Sequence, residues 1–560
     1  NKQTWQETTI ELQNDLTDAV IDNAAKQLPE LFYNEVGAEL AQKLSSRRDQ
    51  LWEFAEAYYD LISKKVDIAA TDKREYADLN YNNEELSVVI GRISKSGEKS
   101  KAYYRRIFTY SETKEIRLYM RGGDDRITID GTKGNIKINV DGGGGDDTYK
   151  DRSKGNSSKI YVYDAKGKNE RINKNMKFSD RKFKRAPAKE PNDRYALDWG
   201  KYVSTVPILQ IDPDLDVFMG FKRSREIYGY RKTPFASFHE IRAAISSDDW
   251  EPEISYRDFY REIFPNADLN IYLEYSAINV LRFHGFGNDT ELIDVGENFY
   301  DVERQEVIVE PSLMFNSGKN HGAHHNSPTS FRPEFSAQLG LNIRYSRTPF
   351  SDNSDKFIGS AGPDVYGLDD FGQAGIKGAI QLDARDNPGY PTSGYFATVT
   401  GTLYPALWDV ESAFTKVHTT LSTYLTAQIP ASPTLALRVE GEKVWGDFPF
   451  HEATYIGGGD NLRGFRRNRF AGDAAVTGSA ELRFKLFPIK LLVPGNIGAF
   501  GSIDTGRVFV EDIDDNNGTW HRGVGGGLWL SILNKRQTFS LSIMNSDEKT
   551  GLYFDTGFMF

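Results

Sequence analysis

Residues 434–442 read TLALRVEGE. Side chains alternate across an extended chain, so Leu435, Leu437 and Val439 fall on one face and Arg438, Glu440 and Glu442 on the other. An apolar face backed by charges of both signs suits a strand standing between lipid and a wet lumen. A soluble sandwich strand also alternates, so repetition has to decide. The stretch ADLNIYLEYS (267–276) repeats the pattern, with Leu269, Ile271, Leu273 and Tyr275 opposite Asn270, Tyr272 and Glu274. From about residue 205 onward, segments of about ten residues keep this alternation between turns, as the strands of transmembrane barrels do.

Composition agrees. The 560 residues include 29 Tyr, 34 Phe and 50 Gly, and mean hydropathy is −0.55. Aromatic and glycine richness at low hydropathy fits a barrel whose strands are half polar. No apolar run is long enough for a membrane helix, and no basic-plus-apolar leader precedes the chain, so Asn1 reads as a processed N-terminus or the start of a fragment. There are no cysteines, which excludes disulfide and thiolate chemistry. A net charge of −11 argues against a general nucleic-acid binder.

The expected fold is a 16-stranded transmembrane antiparallel β-barrel with an N-terminal helical segment and a small β-rich periplasmic domain. Residues 1–66 form the helical segment, 67–195 the Gly/Asp-turn domain and linker, and 196–560 the barrel. An even strand number returns the chain to the side it entered from, which puts the N-terminal regions in the periplasm. LDVFMGFKRSREIYG (215–229) is the candidate first strand. GLYFDTGFMF (551–560) is the candidate last strand, with Leu552, Phe554, Thr556, Phe558 and Phe560 on one face.

One loop breaks the pattern. Residues 455–473 read YIGGGDNLRGFRRNRFAGD, with four arginines and three glycines before the tip. A solvent-exposed basic loop is one reading; a peg folded into the lumen is the other. In the lumen a guanidinium must find a carboxylate. Alternation places Glu481 inward between Ala480 and Leu482, and Asp504 inward between Ile503 and Thr505. Arg466, Arg467 and Arg469 stay unassigned, with lipopolysaccharide or partner contacts as options.

Three motifs resemble the Omp85 superfamily (bacterial surface antigen family), which has BamA-like and TamA-like branches. GGGDNLRGF resembles its sixth-loop tip, here Leu462, Arg463, Gly464 and Phe465. AIQLDARDNPGYPTSGYFATV (379–399) resembles its D-x-R-D-x-x-x-x-P-T-x-G turn, here Asp383, Arg385, Asp386, Pro391, Thr392 and Gly394. GAFGSIDTGRVF (498–509) resembles its Asp-x-Gly strand, here Asp504 and Gly506. The resemblance implies that the loop joins strands 11 and 12, that Arg463 pairs with Glu481 and Asp504, and that an aromatic-ended last strand (Phe554, Phe558, Phe560) serves as the barrel-assembly signal. It further implies outer-membrane location, work on client or partner polypeptides, and contact with outer-membrane lipids or other complex subunits.

The N-terminal third looks like the module between a calcineurin-like phosphoesterase and the barrel in metallophosphoesterase–Omp85 fusions. The POTRA domains usual in the superfamily are not apparent. Phosphoesterase sites need Asp-x-His, Asn-His-Asp and Gly-His-x-His clusters for two metals, and none is present. The chain is therefore read as non-enzymatic. NHGAHHN carries His321, His324 and His325 without neighbouring carboxylates and reads as a polar extracellular loop. GGGGDDTYK and GGDDRITI fit a calcium-binding repeat once and by half, so Asp124, Asp125, Asp146 and Asp147 are candidate calcium ligands; tight turns are the plainer reading. No other cofactor is expected. In the helical region, Leu51, Phe54, Tyr58 and Leu61 share a face expected to pack inward. The basic connector 171–195 is a linker with a chance of touching anionic headgroups. Three functions remain open: assembly, insertion or translocation of polypeptides; an anchor for an upstream phosphoesterase; and a passive pore or structural subunit.

Overall fold

The computed structural model describes all residues except 1, 83, 133, 156–158, 173–175, 181–197, 199, 213–215, 248–249, 265, 279–280, 294, 317–333, 363–364, 491–493, 512–518, 533–534 and 536. The chain forms two compact units, Asn1–Phe183 and Lys184–Phe560.

In the first unit, helices Lys2–Asp15, Asp18–Ala25, Ala38–Asp49 and Leu51–Ser63 come first. The Thr17 hydroxyl caps the second by accepting from Val20 N. Pro29 opens a short turn and Gly37 ends a π-helical one. The Leu51–Ser63 helix buries Tyr59 and Ser63, while Phe54, Tyr58 and Leu61 stay exposed at 60%, 56% and 49%. The expected inward face thus points outward. Trp5 packs at a tilt against Tyr58 and Tyr59, with ring centroids 5.9 and 5.7 Å away.

The strands that follow build a parallel coil. Glu115 pairs with Lys137, and Ile138 with Ile160, each 22 residues on. Arg126 pairs with Thr148 at the same interval. Two sheets result, one of five strands and one of six, the latter widened by an antiparallel meander. Stacked rows Ile116–Ile138–Ile160 and Leu118–Val140–Val162 fill the space between them. A coil buries its apolar face only by stacking on the next, which is the stabilising logic of solenoids.

The second unit is a 16-stranded antiparallel barrel. Strand 1 is Lys201–Asp212 and strand 2 is Asp216–Gly229. The candidate first strand is therefore the second. TVPILQIDPD, with its two prolines, hides the true first strand, although a proline is tolerated where an edge needs no donor. Strand 1 pairs with strand 2 along its whole length, from Lys201↔Ile227 to Asp212↔Asp216. It meets strand 16 (Thr550–Asp555) at one position, Ile211↔Phe554. Outward Leu437, Val439 and Leu421 are exposed at 36–53%, which is an apolar belt for lipid.

The solenoid's stability rests on its stacked rows. Ile138→Ala is expected to cost the first unit about 2–5 kcal/mol. Hydrogen exchange across residues 115–163 of the intact protein should quicken accordingly; unchanged protection would contradict the packing.

Candidate functional site

The long loop between strand 11 (Thr434–Trp445) and strand 12 (Ala474–Lys490) fills the barrel's interior. Its arms form a small hairpin, Thr454–Ile456 against Phe470–Gly472, closed by the Thr454 hydroxyl donating to Gly472 O at 2.9 Å. Asn461 braces the tip: its Oδ1 accepts from Gly457 N at 2.8 Å. Leu462 and Phe465 are buried with Ile456, Phe470, Ala475 and Val508, and His521 of strand 14 (His521–Ile532) stacks on Phe470 at 3.7 Å.

Between those two apolar residues, Arg463 is 2% exposed. Its Nε donates to Asp504 Oδ2 at 2.7 Å and its Nη2 to Asp504 Oδ1 at 3.0 Å, a two-pronged grip. Nη2 also donates to the Ser502 hydroxyl. Nη1 lies 3.0 Å from Glu481 Oε1, a charge contact rather than an aligned hydrogen bond, since Oε1 has no hydrogen-bond partner. The other Glu481 oxygen accepts from Arg483 at 2.7 and 2.9 Å. Two cations and two anions thus balance in a site shut off from water. Burying four charges is costly unless each is paired, and here each is.

Close backbone approach fixes two glycines. Gly464 has φ +95, and a Cβ there would lie 3.2 Å from Asn545 and Ser546. Its N–H donates to the Tyr553 hydroxyl at 2.9 Å, and the Ser546 hydroxyl donates to its carbonyl at 2.6 Å. A Cβ on Gly523 of strand 14 would lie 1.8 Å from Arg463 O. The tip therefore touches five strands in succession, 12 to 16, of which 13 is Pro494–Phe509 and 15 is Gln537–Asn545.

A second anchor holds the loop's near arm. Glu452 is 2% exposed; its Oε1 accepts from Gln373 at 2.6 Å and Arg344 at 3.3 Å, and Lys416 lies 3.5 Å from Oε2. Burial pushes its carboxyl up, but Arg344 and Lys416 outweigh this and hold it down at about 2. Sequence reading missed Glu452. Its only signal was an acid flanked by aromatics in FPFHEATY. Arg469 grips Glu548 at 2.9 Å and Thr290 O at 2.6 Å, and Arg467 lies 3.5 Å from Asp460. Arg466 is half-buried.

The 379–399 motif holds the turn between strands 8 (Asp369–Asp383) and 9 (Gly394–Tyr404). Asp383 clamps Arg385 at 2.7 and 3.0 Å. Asp386 accepts from Thr392 N at 2.8 Å and Ser393 N at 3.1 Å. Pro391 precedes that capped residue, and Gly394 opens strand 9 with φ +101. This turn sits at the opposite rim from the 446–473 loop.

Two expectations change. Strand 16 ends at Asp555; Phe554 stays in the wall beside Leu541, but Phe558 and Phe560 turn inward to Arg483, whose cation and donors hold them better than a wall position next to a scarcely paired edge. His321, His324 and His325 lie outside the described residues. The strands flanking them, 6 (Gln305–Asn316) and 7 (Glu334–Thr348), end at the rim opposite the 446–473 loop, not at its own. In the solenoid, Asp125 and Asp147 stack 22 residues apart. Asp125 accepts from Glu75 N at 2.8 Å, and Asp147 from Asp125 N at 2.7 Å. Asp124 likewise accepts from Asp146 N, and Asp146 from Lys168 N. These carboxylates cap the turns of neighbouring coils. Burial pushes Asp125 up to about 8 and raises Asp147 too. Among the described residues, no group of three or more His, Cys, Asp or Glu is placed to hold a metal.

Residues 296–560 match the Omp85 superfamily domain. Among curated proteins, none matches the chain. Similar solved structures include one BamA and two CdiB proteins. BamA from Haemophilus ducreyi lacking POTRA domains 1–3 is 13% identical, covering 64% of this chain and 70% of that one at a TM-score of 0.43. CdiB from Acinetobacter baumannii is 13% identical, with 64% and 60% covered at 0.38. CdiB from Escherichia coli is 11% identical, with 65% and 63% covered at 0.42. The chain thus spans under two thirds of either CdiB.

Arg463→Ala is expected to cost about 3–5 kcal/mol, because it strands buried carboxylates. Arg463→Lys should rescue little, since an ammonium cannot fork onto Asp504. Protease access to residues 457–469, with denaturant unfolding, reads both; wild-type behaviour from Arg463→Ala would refute the anchor. A second expectation concerns His284, stacked on Tyr300 at 4.1 Å. Burial, then Arg469 and Arg282, push it down to about 3. A depressed histidine stabilises the fold above its unfolded value and loses this as pH falls, here by about 2 kcal/mol at pH 5. Rate-corrected hydrogen exchange at residues 281–302 should rise from pH 7 to pH 5, and His284→Phe should abolish the rise. A pH-independent wild type would contradict this.

Proposed function

We propose, from the match of residues 296–560 to the Omp85 superfamily domain, that this barrel stands in the outer membrane and inserts or translocates other polypeptides at the seam between strands 1 and 16. The observation that carries the reading is that strands 1 and 16 pair at one position among the described residues, Ile211↔Phe554. Backbone groups facing lipid must be paired within the protein. A barrel wall with a nearly unpaired edge is strained toward accepting another strand, because free N–H and C=O groups template an incoming chain.

The side assignment follows from loop lengths. Connections from odd to even strands include the long segments 277–304, 349–368 and 446–473. Those from even to odd, apart from 317–333, have ten residues or fewer and include the two-residue links 230–231 and 265–266. Transmembrane barrels carry long loops outside and short turns in the periplasm. The chain enters strand 1 at the short-turn rim, which supports a periplasmic N-terminal unit. A solenoid in that position offers stacked, in-register strands in place of POTRA domains, and partner polypeptides are its expected company.

The seam test uses the absence of native cysteines. Ile211→Cys with Phe554→Cys, oxidised in reconstituted liposomes, is expected to abolish insertion of a test barrel protein. Reduction should restore it. Full activity in the oxidised form would contradict the seam reading.

A further inference from the structure

Residues 556–560 leave the wall and occupy a pocket inside the barrel. Gly557 turns them with φ +119. Phe558 packs among Tyr390, Trp529 and Phe500, with ring centroids 5.6, 6.0 and 6.1 Å away. The Arg483 guanidinium lies 3.8 Å from the centre of its ring, an arrangement that stabilises a buried aromatic. Phe560 faces Tyr424 at 6.4 Å, with Arg483 and Arg438 5.4 and 5.9 Å from its ring. The backbone is held as well. Arg483 Nη2 donates to Phe560 O at 2.8 Å, Arg438 Nη1 to Met559 O at 3.4 Å, and the Ser540 hydroxyl to Gly557 O at 2.7 Å.

This is peptide recognition in form: two aromatic slots spaced two residues apart, with side-chain donors on the carbonyls of that same segment. The pocket also has donors to spare. Arg483 Nη1, Arg438 Nε and Trp529 Nε1 are buried without a hydrogen-bond partner, and Arg483 and Trp529 are 3% and 2% exposed. The tail has an alternative place. Continuing the Ile211↔Phe554 register would set Phe558 opposite Pro207 and Phe560 opposite Thr205, extending strand 16 along strand 1. The pocket would then be vacant.

We propose that this lumenal pocket is a binding site for an aromatic-x-aromatic peptide segment, filled in cis by Phe558 and Phe560 and open to the same motif on another polypeptide when they leave. The proposal rests on the reading that the barrel handles client chains. Its location inside the lumen, on Arg483, separates it from strand pairing at the seam.

The test uses the full chain in nanodiscs and a fluorescent peptide of residues 552–560. In the wild type the tethered tail competes at millimolar effective concentration, so the Phe558→Ser/Phe560→Ser variant should bind the peptide about tenfold or more tightly than wild type. A peptide with both phenylalanines replaced by serine should bind neither protein. Equal binding by variant and wild type, or by the two peptides, overturns the site. A second measurement does not depend on the variant folding. Wild-type protein at saturating peptide, with benzoylphenylalanine at the position of Phe558, should crosslink to Tyr390 or Trp529. Crosslinks confined to residues 201–212, or none at all, overturn the pocket. The first of those results leaves the seam reading intact.

Discussion

The buried quartet of Arg463, Asp504, Glu481 and Arg483 is the constraint on which the barrel's interior depends. Its members come from the loop tip and from strands 12 and 13; Glu481 and Arg483 pair along strand 12, but Arg463 and Asp504 meet only when the loop is folded into the lumen. In a water-excluded site an unpaired charge is far costlier than a surface one. The pairing therefore acts as a condition on the whole arrangement. Glycines at 464 and 523 remove the bulk that would keep the tip off the wall, and Leu462 and Phe465 seal it from either side.

The quartet also reaches the seam. Gly464 bonds to Tyr553 on strand 16, and Arg483 bonds to Phe560 beyond that strand's end. The last strand is thus gripped from inside at two points while its outer edge is almost unpaired against strand 1. Glu452 does comparable work for the other arm, tying the loop to Arg344, Gln373 and Lys416 on strands 7, 8 and 10. A loop fixed at both ends crosses the lumen as a strut.

Much of this was legible because barrel strands state their environment residue by residue. The alternation of Leu435, Leu437 and Val439 with Arg438 and Glu440 needs no knowledge of neighbours, and the Leu-Arg-Gly-Phe tip stands out of its surroundings. What stayed hidden depends on tertiary closure. Glu452 looks like any solvated acid until strand 7 brings Arg344 beside it. Phe558 and Phe560 obey the period of two, yet Arg483 draws them off the wall. Strand 1 was masked by Pro207 and Pro213, which read as breakers. In the solenoid, GDDRITID and GDDTYKD repeat at 22 residues, but short Gly/Asp turns look alike in hairpins and coils; only the Ile116–Ile138–Ile160 row distinguishes them. The outward face of Phe54, Tyr58 and Leu61 shows the limit of periodicity, which finds a stripe without saying what lies against it.

A double-mutant cycle on Arg463 and Asp504, read by denaturant unfolding of the barrel in detergent micelles, tests the central claim most directly. Close partners in one buried network couple by about 0.5–3 kcal/mol, whereas independent sites add to within about 0.5 kcal/mol. The structure calls for coupling at the upper end of that range between Arg463→Ala and Asp504→Ala, with Arg463→Ala against the outward Ile503→Ala as the additive control. Additive effects at 463 and 504 would mean that the loop tip is not held by the wall, and the account of the lumen would fall with it.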